Sequence, residues 1–64
     1  MKIRYDKELD IIYIRFSDEQ IVESDSQKPG VILDFDLEGR IVAIEILNAS
    51  LKMPQPTKFE YEVA

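Results

Sequence analysis

Residues 31–50 read VILDFDLEGRIVAIEILNAS, and two different structures fit them. With Asp34, Asp36 and Glu38 at loop positions 1, 3 and 5, Gly39 at 6 and Glu45 at 12, the segment matches the spacing of an EF-hand calcium loop. Such a loop works because a helix on each side returns the twelfth-position carboxylate to the ion. Here the flanks are Pro29-Gly30-Val31-Ile32-Leu33 and Ile41 to Leu47, both β-branched and strand-like. Position 5 is also Glu, whose longer arm fits the loop less well. The same residues make a hairpin more simply. Asp36-Leu37-Glu38-Gly39-Arg40 suits a type I turn followed by a left-handed glycine, with Asp36 and Arg40 facing each other as a charge pair.

This turn predicts a register. Phe35 lies opposite Ile41, Asp34 opposite Val42, Leu33 opposite Ala43, Ile32 opposite Ile44 and Val31 opposite Glu45. One side then holds Val31, Leu33, Phe35, Ile41, Ala43 and Leu47, and the other Ile32, Val42, Ile44 and Ile46. Both faces of the hairpin are expected to be apolar and to need cover.

Outward from the hairpin, the hydrophobic spacing has period two or is continuous, which predicts antiparallel β structure. Lys2 to Asp6 alternates, Asp6-Lys7-Glu8 reads as a turn, and Asp10 to Ser17 (DIIYIRFS) is a second strand with Ile12, Ile14 and Phe16 on its more apolar side. A short edge strand is expected around Gln20 to Glu23, a polar loop over Ser24 to Lys28, and a break at Pro29-Gly30. Ala49 to Met53 suits one helical turn, stopped by Pro54 and Pro56. Thr57 to Val63 alternates again and predicts a terminal strand. The fold class is all-β: one domain over 1–64, a small antiparallel meander of five or six short strands with a short helical turn after the fifth. The β core spans 1–50, and 51–64 adds the turn, the proline break and the last strand.

Composition narrows the function. A chain of 64 residues buries only about 60% of its unfolded surface, so its stability is marginal without help. It has no cysteine and no histidine, which removes disulfides, thiolate metal sites, and the commonest general base and neutral metal ligand. Association with another chain is the aid left, apart from an all-oxygen metal site. A net charge of −5 argues against direct nucleic-acid binding, which needs clustered Lys and Arg. No apolar run is long enough for a signal peptide or a membrane span, so the cytoplasm is the expected location and no membrane is expected as partner.

No residue is assigned a catalytic, cofactor-binding or metal role. Asp6 and Asp10 fit ordinary turn chemistry. Asp34 stands out as an acid in mid-strand, with Arg4, Arg15 or Arg40 as expected partners. Tyr5, Tyr13 and Tyr61 read as half-buried packing rather than a ligand-stacking surface, and Ser24 and Ser26 as loop residues. The expected function is non-enzymatic protein–protein interaction through Ile32, Val42, Ile44 and Ile46 on one hairpin face together with Phe59 and Tyr61. The alternative is a small-molecule or weak metal-binding module built on the Asp34–Gly39 hairpin.

The order of motifs also resembles a known family. Met1-Lys2-Ile3 with Tyr5-Asp6, then DIIYIRFS over 10–17, PGVILDFD over 29–36, Gly39 and IEILNAS over 44–50 are similar to the short prokaryotic proteins called domain of unknown function 2283. The likeness covers about the first 50 residues and leaves Leu51 to Ala64 outside. It implies no activity and no site residues. Some members are encoded beside small presumed toxins, so the resemblance implies an antitoxin-like partner role as an expectation, while the hairpin's two apolar faces by themselves lead to the expectation of a homo-oligomer such as a homodimer.

Overall fold

The structure, a computed structural model, describes residues 1–64 with every side chain except that of Gln27. Five strands form one sheet: β1 (Lys2–Asp6), β2 (Ile11–Arg15), β3 (Glu23–Lys28), β4 (Val31–Phe35) and β5 (Ile41–Leu47), followed by the short helix α1 (Ala49–Lys52). Their order across the sheet is β1-β2-β5-β4-β3, with every neighbouring pair antiparallel. The meander is therefore laid down in two runs, β1–β2 and β3–β4–β5, joined where β2 pairs with β5. β5 occupies the centre, which suits a strand apolar at every position but Glu45.

Residues 16–22 carry the chain from β2 to the far edge. The Phe16 N–H donates to the Val42 carbonyl at 2.7 Å and the Val22 N–H to the Phe35 carbonyl at 2.9 Å. Arg15 holds the crossover between those ends, donating to the carbonyls of Ser17 and Glu19 at 2.8 Å each.

The turns follow the expected chemistry. The Gly39 N–H donates to the Asp36 carbonyl at 3.1 Å and the Asp36 N–H to the Arg40 carbonyl at 3.0 Å. Gly39 has φ of 79°, the left-handed conformation in which a Cβ is strained. Asp36 and Arg40 pair at 2.9 Å. Pro29-Gly30, with φ of 80° at glycine, joins β3 to β4 as the two central residues of a turn that suits type II.

Three expectations are corrected. The third strand is β3 at Glu23–Lys28, not around Gln20 to Glu23, and it takes in the polar segment expected to be a loop. It is an edge strand, tied to β4 by backbone bonds, and its described residues are exposed, so an apolar pattern is not required of it. An irregularity between Asp25 and Lys28 further blunts that edge. Thr57 to Val63 forms no strand. Its alternation finds no ladder to join, and Tyr61 and Val63 stand 85% and 80% exposed.

The third correction concerns register. Phe35 does pair with Ile41, but the next pair is Asp34 with Ala43, followed by Leu33 with Ile44, Ile32 with Glu45 and Val31 with Ile46. Val42 is the extra residue of a bulge, and the rest of β5 is shifted by one. Because side chains alternate, this shift exchanges the faces of every later residue of β5 relative to β4.

Candidate functional site

The bulge sorts the sheet into two unlike faces. On one, pairing places Ile3, Ile14, Ile44 and Leu33 in a row across four strands, and Tyr5, Ile12, Ile46 and Val31 in the row beside it. Seven of those eight side chains are aliphatic. Ile12 at their centre is fully buried, Ile3 on the edge strand is 42% exposed, and the other six are half-buried. Fully buried apolar residues are confined to Ile12, Val42, Ala43 and Ala49 among those described. The aliphatic rows thus form a broad surface that the chain itself covers only in part.

Of the six residues expected to form an interface, Ile44 and Ile46 lie on this face. Ile32 lies on the opposite one, paired with Glu45, because of the bulge. Val42 is 1% exposed and out of a partner's reach. Phe59 and Tyr61, 46% and 85% exposed, stand outside the sheet. Sequence reasoning missed Ile3, Ile14, Val31 and Leu33, whose alignment depends on the order β1-β2-β5-β4.

The other face is polar. One row runs Lys2, Arg15, Ala43, Asp34 and Ser24, and the next Arg4, Tyr13, Glu45 and Ile32. Asp34 is 2% exposed, and its Oδ1 accepts a 2.5 Å bond from the Ser24 hydroxyl. Its Oδ2 is buried without a hydrogen-bond partner among the described residues. Glu45 reaches the Asp34 carboxylate diagonally from β5, a separation that a long side chain can span. Burial first, and then the bond to Asp34 and its charge, push the Glu45 carboxyl above its ordinary pKa. None of the expected arginines is seen to pair with Asp34. Arg4 pairs with Asp6 and Arg40 with Asp36 and Glu38, while Arg15 donates to the Tyr13 hydroxyl at 3.2 Å and to the crossover.

The acids that fitted a calcium loop are spent separately. Asp34 faces Ser24 and Glu45, whereas Asp36 Oδ1 accepts the N–H groups of Glu38 and Arg40 at 3.0 and 2.9 Å. Those bonds, led by the Arg40 N–H, hold Asp36 below the usual carboxylate range. The flanking elements are strands, so the helices that define an EF-hand are replaced by β structure. An open cleft of about 290 Å³ lies between the crossover and this turn, lined in part by Glu19, Val22, Asp36 and Arg40.

Asp10 does more than shape a turn. Its φ is 55°, and its carboxylate accepts from the Ser50 N–H at 3.0 Å, the Ser50 hydroxyl at 2.6 Å and the Tyr5 hydroxyl at 2.7 Å. Its carbonyl accepts the Ala49 N–H at 2.9 Å. Asn48 makes no side-chain cap, so the start of α1 is held by a residue far back in the chain. The Ser50 hydroxyl, then Tyr5, hold the Asp10 carboxyl below its ordinary pKa, and the same bond raises that of Tyr5.

Residues 2–50 match the family described as "Protein of unknown function (DUF2283)". The chain belongs to this family. The DUF2283 region begins with the first residue of β1 and ends at Ser50, so it contains all five strands and both ends of the Asp10–Ser50 contact. The residues after it include no strand. No curated protein and no solved structure matches the chain. No helix among the described residues is long and apolar enough to cross a membrane.

Proposed function

We propose that this protein is a binding module rather than an enzyme, and that its apolar sheet face docks against a second copy of the chain. The two cross-strand rows carry the reading. An aliphatic surface four strands wide, left part-exposed beside an edge at Ile3, leaves unburied area that a 64-residue chain can ill spare. A second copy supplies the same aliphatic chemistry, and face-to-face packing of sheets about 10 Å apart is a common way to bury it. The opposite face carries charged residues in both rows and has Ala43 and Asp34 already buried, so it offers a partner less apolar area. A net charge of −5 also suits a small basic protein in the same place, which is the antitoxin-like form of the reading.

The test is solution mass by light scattering across a hundredfold concentration range, for the wild type and Ile3→Glu. Ile3 lies on the edge strand and is already 42% exposed, so the substitution should leave the fold intact while placing a charge in the contact. A dimer that Ile3→Glu shifts to monomer is expected. A wild type monomeric throughout would end the self-association reading.

A further inference from the structure

On the polar face, away from the proposed contact, two carboxyl groups meet with no ion-pairing cation among the described residues. We propose that Asp34 and Glu45 hold one proton between them in the folded protein, with the Glu45 O–H donating to the Asp34 carboxylate, so that the pair is a pH-sensitive pin across β3, β4 and β5. Three observations converge on this pair. Asp34 is nearly inaccessible and its Oδ2 has no donor among the described residues. Glu45 stands diagonally across from Asp34 on the same face, in the row next to the Asp34–Ala43 pair, with its carboxyl in reach of the Asp34 carboxylate. The Ser24 hydroxyl already donates to Oδ1, which leaves Oδ2 as the acceptor still open.

The charged groups facing the pair do not relieve it. From β3 comes Ser24, a neutral donor, and from β5 the methyl of Ala43. β2 presents Tyr13 and Arg15, but the Arg15 guanidinium is spent on Tyr13, Ser17 and Glu19. Farther off, β1 presents Lys2 and Arg4, the latter paired with Asp6. A half-buried Glu45 beside the buried Asp34 carboxylate does not ionise readily, and the proton it keeps becomes the missing donor for Oδ2. The upward displacement of Glu45 by burial and by Asp34 agrees with this.

Deprotonation would replace the bond with repulsion and loosen the edge strand held through Ser24. The sign follows from the raised pKa. Over the range between the unfolded and folded Glu45 values the native state binds more protons. The pair's contribution to stability is therefore full below the ordinary glutamate value and is lost as pH rises through the folded one. The chain has no histidine, so no imidazole titrates over that range to mask the effect.

Two measurements test the proposal. Carbon-detected NMR titration of the side-chain carboxyls should give Glu45 a midpoint above the ordinary value of about 4.3, and Asp34→Asn should bring it down by removing the charge. An ordinary midpoint, or a raised one indifferent to Asp34→Asn, would overturn the shared proton. The second is denaturant unfolding against pH for the wild type and Glu45→Gln, whose amide can donate to Asp34 at every pH. The wild type should lose stability above the ordinary glutamate range while Glu45→Gln stays level. Parallel profiles would refute the pin even if Asp34→Asn did not fold.

Discussion

The two faces of this sheet are made by the same strands, yet one carries two aliphatic rows and the other Lys2, Arg4, Arg15, Asp34 and Glu45. Regular pairing from the Asp36–Arg40 turn would have mixed them, placing Leu33 across from Ala43 and Ile32 across from Ile44. The bulge at Val42 instead aligns Leu33 with Ile44 and Val31 with Ile46, and leaves Ile32 with Glu45. One additional residue in one strand thus decides where the apolar surface lies and brings the buried carboxyl pair together. A bulge in this position is part of how the sequence specifies a two-faced sheet.

The comparison can be broken most forcefully at Ile12, fully buried in the middle of the apolar rows. Ile12→Ala should cost about 2–5 kcal/mol, read from denaturant midpoints, and a loss below 1 kcal/mol would mean that this face is not the core. Next is the turn that sets the register. Nothing lies near a Cβ built on Gly39, so Gly39→Ala should cost only the left-handed strain of about 1–2 kcal/mol, with solution mass unchanged. Acid gives a graded loss. The Asp10 and Asp36 carboxyls are held down in the fold, so their contribution is present above the unfolded aspartate value of about 3.9 and disappears as pH falls through the folded values. Asp10→Asn should flatten that limb in circular dichroism melts, and an unchanged limb would remove Asp10 from the account. The smallest effect belongs to Ile32→Thr on the polar face, expected within about 1 kcal/mol. If it destabilised as much as Ile12→Ala, the assignment of faces would be wrong.

Much of this was legible in the sequence. β1, β2, β4, β5 and α1 fall where alternation, β-branched residues and prolines predict, and Gly39 marked its turn correctly. The illegible parts share a physical cause. The run Ile41 to Leu47 is apolar almost throughout, so it carries no alternation from which a one-residue shift can be read. β3 is polar because an edge strand draws its hold from backbone bonds, and Phe59, Tyr61 and Val63 alternate without a partner because alternation does not supply an edge to join. Asp34 was recognisable as an acid in mid-strand, but its partners were not, since Ser24 was expected in a loop and Glu45 on the other face of the hairpin. Nothing local linked Asp10 to Ser50.

The strand order has a kinetic meaning. β5 is the last strand of the chain and the middle strand of the sheet, so neither the β1–β2 hairpin nor the β3–β4 hairpin meets its inner neighbour until Ile41 to Leu47 is in hand. Each hairpin is local and quick to sample, and β5 joins β4 through the short Asp36–Arg40 turn, whereas docking β1–β2 onto β5 closes a long loop and sets the pace. The Asp10–Ser50 contact spans 40 residues and forms only once β5 lies against β2. Its loss should therefore show mainly as faster unfolding, with the folding rate nearly unchanged.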